Sequence, residues 1–317
     1  MLIARLPAFQ HPAQPLTQLF TINCLMTYRG RFAPTPSGPL HFGSLVAALA
    51  SWLEARHHGG QWLVRIDDLD PPREAPGAAD HILTQLEAFG LHWDETVRYQ
   101  SQRGEAYQAA VTQLLDTGHA FHCRMTRKQL ATLGHCHPGI DVAVPAASDT
   151  AIRLHVPDRQ LCYPDSIQGQ VCNNLHRDGG AFVIRRRDGL FGYQLACALD
   201  DADDNITHVL RGADLLDSTL RQCWLLECLG RPVPRYAHLP VILDGRATKL
   251  SKSAGSDALA PDQASHLLGA AFLGMGLTVP EALSGAPVTE LLNWGMSHYS
   301  EHHWPPGQTQ PLPAILA

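Results

Sequence analysis

The stretch Gly30-Arg31-Phe32-Ala33-Pro34-Thr35-Pro36-Ser37-Gly38-Pro39-Leu40-His41-Phe42-Gly43-Ser44 decides the interpretation of the chain. Its prolines stiffen the backbone and its glycines allow close approach of another group. Apolar residues at helical spacing follow, so the pattern predicts a helix over 44–57 with Gly43 and Ser44 at its N-terminus. Such a terminus attracts anions, and His41 can add a donor. The stretch alone is equally typical of an ordinary strand-to-helix turn.

Composition limits the classes of protein that remain. Hydrophobic residues make up 45% of the 317 residues and no apolar run is long enough to span a bilayer, which indicates a globular protein without membrane insertion. The eight cysteines are scattered and no secretory leader precedes them, so we expect a reduced, cytoplasmic protein. The net charge of −6 argues against broad binding to nucleic acid, and any such contact must be local.

A strand, helix, strand order predicts an α/β fold with a parallel nucleotide-binding sheet, because a β-prone run over Gln61–Ile66 follows the first helix. We expect Met26 to be the natural start and residues 1–26 to be a non-native or disordered extension. The remaining divisions are the first half of the sheet domain at 27–118, an insertion at 119–178, the second half at 179–245, and a lysine-containing loop with a short helical region at 246–317.

Two charged segments are further candidates for ligand contacts. Asp67 follows the second strand, and ligand sites in parallel sheets lie beyond the carboxyl ends of strands. A solvated acidic turn is the alternative. Lys249 and Lys252 stand in a loop after the last predicted strand, where a pair of solvated lysines is the alternative.

The segments Pro36–Gly43 and Lys249–Ser253 resemble the two signature motifs of class I aminoacyl-tRNA synthetases. Together with Arg31–Pro34, Arg65–Asp70 and Val209–Leu215, they resemble the glutamyl branch of that family. The 64 residues after Ser253 favour its short members, which lack an anticodon-binding domain. A Rossmann-type catalytic domain with an inserted α/β subdomain is implied. The substrates implied are ATP with Mg²⁺, glutamate, and tRNA(Asp) carrying queuosine, and the family suggests a monomer.

The resemblance also implies roles for individual residues. His41 and Lys252 would act in catalysis, and ATP would be bound by His41, Gly43, Ser44, Lys249 and Lys252. Glutamate would be bound by Arg31, Phe32, Ala33, Pro34, Thr35, Asp67, Tyr193 and Arg211. An arginine suits a carboxylate ligand, so Arg211, with Arg31 as a second candidate, would select glutamate over glutamine. A core tyrosine at position 193 and a surface ion-pair arginine at position 211 are the alternatives.

Three positions depart from the family pattern. Ser44 replaces a histidine that the wider class has, a change common in the glutamyl branch. Asp67 replaces the usual glutamate, which shortens its reach by about 1.5 Å. The family's zinc ligands are degraded, with Met125 in place of a cysteine. Cys123 with Cys136, His135 or His137, and Asp141 still offers a tetrahedral set, but we expect an insertion without metal.

Two other functions remain open at this point. One is a glutamyl-tRNA synthetase-like enzyme that charges a tRNA 3′ end, and the other is a noncatalytic tRNA-binding paralogue. The arginines that offer a local basic patch equally fit a solvated charged face and are assigned no role. These residues are Arg185, Arg186, Arg187 and Arg221.

Overall fold

Strands and helices alternate along most of the chain in the computed structural model, which describes residues 27–243, 259–300, 304 and 307–313. The strands are β1 (Arg29–Phe32), β2 (Gln61–Ile66), β3 (Arg98–Tyr99), β4 (Ala120–Cys123), β5 (Ala151–Leu154), β6 (Leu161–Asp165), β7 (Gly169–Asn173), β8 (Phe182–Arg185), β9 (His208–Gly212), β10 (Arg235–Leu239), β11 (Val241–Leu243) and β12 (Thr309–Pro311). The helices are α1 (Phe42–His57), α2 (Ala78–Ala88), α3 (Gly104–Asp116), α4 (Arg127–Thr132), α5 (Tyr193–Asp203), α6 (Leu216–Leu229), α7 (Ala264–Gly274) and α8 (Val288–His298).

The central sheet is parallel around β1 and β9. β1 pairs with β2 and β2 with β3, all in parallel. On the other side β9 pairs in parallel with β10 and β10 with β6, and β7 runs antiparallel to β6. The two sets meet where the Thr207 N–H donates to the Arg29 carbonyl oxygen at 2.9 Å. This brings the carboxyl ends of β1 and β9 together, at the edge where ligands bind in open α/β sheets.

Apolar side chains of the strands contribute to two separate hydrophobic cores. Leu63 in β2 and Val209 in β9 belong to one buried cluster, and their neighbours Val64 and Leu210 belong to the other. Because successive side chains of a strand point to opposite faces, the two clusters cover opposite faces of the sheet. Helices α1, α7 and α8 pack in the core that contains Val64 and Leu210, and α3, α5 and α6 pack in the core that contains Leu63 and Val209. The predicted Rossmann-type α/β fold is confirmed.

Helix α1 follows the proline and glycine stretch as predicted. His41 is its N-cap, and its ring Nδ1 accepts a hydrogen bond from the Ser44 N–H at 3.2 Å. Leu45, Leu49 and Leu53 along the helix are fully buried. A Cβ at Gly43 would lie only 3.3 Å from ring atoms of His41, so a side chain here would crowd the ring that caps the first turn.

Two elements differ from the sequence prediction. The apolar run Ala237–Leu243 predicts one short strand, but the structure has two strands, β10 and β11, separated at Pro240, since proline offers no N–H to a ladder. Helix α5 was not predicted, because Asp200 and Asp201 interrupt its apolar pattern. Both aspartates are nevertheless buried.

The region predicted as an insertion, 119–178, contributes to two sheets. Its strands β4 and β5 form an antiparallel sheet with β8, and β6 and β7 extend the central sheet beside β10. Cys162 and Cys172, opposite each other on β6 and β7, form a disulfide where the sequence suggested reduced cysteines. The division into domains stays a prediction, and the expected extension at 1–26 lies outside the described residues.

Candidate active site

A cleft of about 790 Å³ opens at the carboxyl ends of β1 and β9. The predicted site residues that line it are Arg31, Phe32, Ala33, Pro34, Thr35, His41, Gly43, Ser44, Tyr193 and Arg211. The predicted glutamate-binding and ATP-binding groups therefore converge in one place. Tyr193 is 38% exposed, so it is not the core tyrosine of the alternative interpretation.

Main-chain hydrogen bonds hold the loop between β1 and α1. The Pro34 carbonyl accepts from the Asp67 N–H and the Pro36 carbonyl from the Ala75 N–H, each at 3.0 Å. The Leu40 N–H donates to the buried Gln85 side chain at 2.8 Å. The prolines cannot donate, but their carbonyl oxygens accept, so the loop is tied to the segment after β2 and to α2. Such ties preorganise the floor of the cleft.

A buried ion-pair network lies beneath the β1 side of the cleft. Asp201 of α5 accepts from Nε and Nη2 of Arg31 at 3.0 and 3.1 Å and from Nη1 of Arg65 at 2.6 Å. Burial acts to raise the pKa of Asp201, but the charges and hydrogen bonds of Arg31 and Arg65 outweigh it and lower the pKa to about 2. Arg31 is therefore neutralised and fixed by a protein carboxylate.

Asp67 takes part in the same network and does not line the cleft. Its Oδ1 accepts from Arg65 Nε at 2.7 Å, and the residue is 6% exposed. Burial raises its pKa, and the opposing charge of Arg65 does not fully offset this. The expected contact of Asp67 with the substrate ammonium group stays a prediction.

Arg211 is the buried cation of the cleft that has no ion-pair partner among the described residues. It is 6% exposed, so it is not the surface ion-pair arginine of the alternative interpretation. Its Nη2 donates to Thr219 Oγ1 at 2.7 Å and to Gln222 Oε1 at 2.8 Å, and its Nε donates to His238 Nε2 at 3.1 Å. Nη1 has a long contact of 3.9 Å with the Cys197 thiol. Neutral acceptors thus occupy Nε and Nη2 and leave Nη1 for a ligand.

Comparison with known proteins gives the family. The profile of the catalytic domain of class I tRNA synthetases (E and Q) matches residues 27–143 and 140–264. The glutamyl-Q tRNA(Asp) synthetase of Ectopseudomonas mendocina is 51% identical over 283 residues, which cover 89% of this chain and 96% of the relative. The one from Xanthomonas oryzae pv. oryzae is 50% identical over 276 residues, which cover 86% of this chain and 91% of the relative. The chain belongs to the glutamyl-Q tRNA(Asp) synthetase family.

Solved structures of longer proteins share the fold of this glutamyl-Q tRNA(Asp) synthetase family member. A glutamate tRNA ligase from Elizabethkingia meningosepticum, solved with its amino acid, is 25% identical with a TM-score of 0.74. The match covers 90% of this chain and 67% of the ligase. A glutamate-tRNA synthetase from Elizabethkingia anophelis has a TM-score of 0.76 at 24% identity, and the match covers 91% of this chain and 68% of the synthetase. This likeness supports the assignment of the fold.

Lys249 and Lys252, the predicted phosphate-binding lysines, lie outside the described residues. They fall within the part of the chain that matches the synthetase profile. The role of the two lysines stays a prediction.

Across the ranges that the structure describes, no helix has the length and apolar character needed to cross a membrane.

Sequence reasoning missed part of the cleft of this glutamyl-Q tRNA(Asp) synthetase family member. Part of the lining comes from Leu239 at the end of β10 and from Pro240, Val241 and Ile242 after it, and Arg73 also lines the cleft. It also missed the residues that hold the arginines in place. The pairing of Arg65 with Asp201 joins residues 136 positions apart, which no local pattern reveals.

The candidate zinc ligands do not come together as a set. Cys123 Sγ lies 3.2 Å from His137 Nε2, but the Cys136 thiol donates to the His176 carbonyl instead. Asp141 and His135 are exposed, and no group of three or more His, Cys, Asp or Glu side chains suited to a metal occurs among the described residues. A structural zinc site needs four ligands, so the residues present do not fit one.

We expect the purified protein to contain substoichiometric zinc and to keep its unfolding midpoint in EDTA. His137 Nδ1 accepts from the Gly139 N–H, which places the proton of the neutral ring on Nε2, toward Cys123. A hydrogen bond then takes the place of a metal bridge. Elemental analysis with thermal unfolding in the presence and absence of chelator makes the test, and one zinc per chain would contradict the expectation.

Proposed function

We propose that this protein activates glutamate with ATP, without tRNA, to glutamyl-adenylate and pyrophosphate, and then transfers glutamate to the queuosine base of tRNA(Asp). The observation that carries the first step is Arg211, a buried guanidinium in the cleft whose Nη1 faces no carboxylate among the described residues. A buried cation without a direct counter-ion favours an anionic ligand. The names of the full-length relatives support the second step.

The binding of glutamate follows from the charges around the cleft. Arg31 and Arg65 already share Asp201 and Asp67, so they have little charge left for a ligand. Arg211 has neutral contacts to Thr219 and Gln222, and it attracts the side-chain carboxylate of glutamate over the neutral amide of glutamine. In this arrangement Tyr193, at the start of α5, forms a wall of the amino-acid pocket.

The chemistry of the first step is an in-line attack of the glutamate α-carboxylate on the α-phosphate of ATP. The protein contributes positioning and neutralisation of charge. His41, Gly43 and Ser44 at the start of α1 line the same cleft as Arg211, which supports binding of both substrates in this cleft. Lys249 and Lys252 are assigned to the phosphates and the departing pyrophosphate. Mg²⁺ enters with ATP, and we assign it no protein ligand.

The acceptor step of the proposal rests on the names of the relatives. Arg186 and Arg221 pair with Asp188 and Asp178, so part of the basic patch is already neutralised. We assign no residue to tRNA contact. The proposal includes a monomeric enzyme in the cytoplasm, where tRNA is found.

Two assays with purified protein test the proposal. We expect glutamate-dependent exchange of pyrophosphate into ATP without tRNA, and no comparable exchange with glutamine, because the amide lacks the charge that Arg211 attracts. We expect glutamate to be transferred to tRNA(Asp) that carries queuosine and not to the same tRNA without the modification.

Each alternative function gives a different result. Absence of exchange would leave only a noncatalytic tRNA-binding protein. Equal charging of modified and unmodified tRNA(Asp), with the ester at the 3′ end, would indicate a glutamyl-tRNA synthetase-like activity. Periodate oxidation of the 3′ end before charging separates the two acceptor sites, provided that the queuosine diol is protected or the product is mapped by nuclease digestion.

A further inference from the structure

A hydrogen-bonded pair of side chains stands behind Arg211. His238 of β10 is fully buried, and its Nδ1 lies 2.5 Å from Oδ2 of the buried Asp165 at the end of β6. Its Nε2 faces Arg211 Nε at 3.1 Å. The order Asp165, His238, Arg211 runs from β6 through β10 to the cleft.

The chemistry of the donors fixes the tautomer of His238. A guanidinium can only donate, so His238 Nε2 must accept from Arg211 and the ring proton must lie on Nδ1. The Nδ1–H group of His238 donates to Asp165, and burial keeps the ring neutral by lowering the pKa of His238. Thr219 Oγ1, which accepts from Arg211 Nη2, lies 3.0 Å from the same Nε2.

Asp165 is itself rigidly placed. Its Oδ1 accepts from the backbone N–H groups of Ile167 at 3.0 Å and Gln168 at 2.9 Å, and from that of His238 at 3.2 Å. Gln168 in turn donates from its side chain to the His238 carbonyl at 2.8 Å. The turn between β6 and β7 therefore holds β10 through hydrogen bonds to both the N–H and the carbonyl oxygen of His238.

We propose that Asp165 is a positioning residue that acts through the His238 tautomer to fix Arg211 with Nη1 toward the cleft, and thereby sets selectivity for glutamate over glutamine. The inference rests on the proposed function and assigns a second layer of residues to the same pocket. With Nε2 as an acceptor, Arg211 Nε and Nη2 are held by neutral groups and only Nη1 is presented to the ligand. With the other tautomer, two N–H groups would face each other and the guanidinium would turn away.

Asp165→Asn is the informative variant, because an asparagine keeps an oxygen for the backbone N–H groups but presents an NH₂ group to His238 Nδ1. We expect the KM for glutamate in pyrophosphate exchange to rise about 10- to 100-fold, the loss typical of one hydrogen bond to a charged group, with the KM for ATP nearly unchanged. Discrimination against glutamine should fall by about tenfold or more. Asp158→Asn, an exposed change in the turn before β6, is the control and should leave all three values unchanged.

A second variant shows whether Asp165 acts through His238. His238→Gln can keep an acceptor for Arg211, so adding Asp165→Asn to it should change glutamate selectivity no further. If Asp165→Asn does not fold, as judged by circular dichroism, His238→Gln and His238→Leu make the same comparison, since leucine offers no acceptor. Additive effects in the double variant, an equal rise in the KM for ATP, or unchanged selectivity in Asp165→Asn would overturn the inference. Absence of exchange in the unmodified protein would instead reject the proposed function.

Discussion

Replacement of Arg211 by glutamine is expected to lower kcat/KM for glutamate in pyrophosphate exchange by about 100- to 5,000-fold, since loss of one partner of a buried ion pair costs about 3–5 kcal/mol. The Arg211 side chain is buried, and no carboxylate within the described ranges forms an ion pair with it. Glutamine retains hydrogen-bonding groups for Thr219 and Gln222 but removes the charge. The KM for ATP should stay nearly constant, because the start of α1 is untouched.

Two further variants sharpen this result. Arg211→Lys keeps the charge but loses the fork of donors that reaches Thr219, Gln222 and His238 together, so we expect an intermediate loss of about 10-fold or more. Arg231→Gln removes an arginine whose side chain is 48% exposed and should have no effect. Exchange at the rate of the unmodified protein in Arg211→Gln would show that another group selects glutamate.

The first half of the site could be predicted from the sequence because its information is local. The prolines, Gly43 and His41 lie within one short segment, and the same segment forms the loop and the capped start of α1. Arg211 could be located because it lies in Val209–Leu215, one of the segments that carry the family resemblance. A short motif fixes backbone geometry, and backbone geometry carries these side chains into the cleft.

The charge network could not be predicted, because its partners come together only in the folded chain. Asp201 lies in α5, a helix that the sequence did not predict, and the folded chain places it between Arg31 and Arg65. The sequence also suggested a free Asp67 for the substrate, whereas the structure engages it with Arg65. Burial of a charged residue depends on its tertiary partner, and sequence spacing does not report that partner.

The place of Asp165 shows the same limit for topology. The sequence assigns it to an insertion, and nothing near it in the chain suggests a contact with the pocket. Only the parallel pairing of β6 with β10 brings it to His238. Strand order depends on pairing between segments that are distant in the chain, so the contact of Asp165 with the pocket is apparent only from the folded sheet.

Replacement of Asp201 by asparagine is expected to lower the free energy of unfolding by about 3–5 kcal/mol, because it removes the carboxylate that pairs with the buried Arg31. Arg65 keeps Asp67 at 2.7 Å and Asp200 at 3.9 Å. Asp201 accepts both ends of the Arg31 fork and one donor of Arg65, and the three side chains are at most 5% exposed. An amide offers one acceptor oxygen and no charge. Urea unfolding followed by circular dichroism measures the loss.

The dependence on pH separates lost charge from lost packing. The pKa of Asp201 is lowered to about 2, so the stability it provides is fully present above the ordinary carboxyl range near pH 4 and is lost as the pH falls toward 2. The difference in stability between the unmodified protein and Asp201→Asn should therefore be constant from pH 5 to 7, and it should shrink below about pH 4. Asp149→Asn removes the exposed partner of Arg124 and should have no measurable effect. A difference that stays constant down to the lowest pH at which the protein folds would assign the loss to packing, because a neutral contact does not titrate.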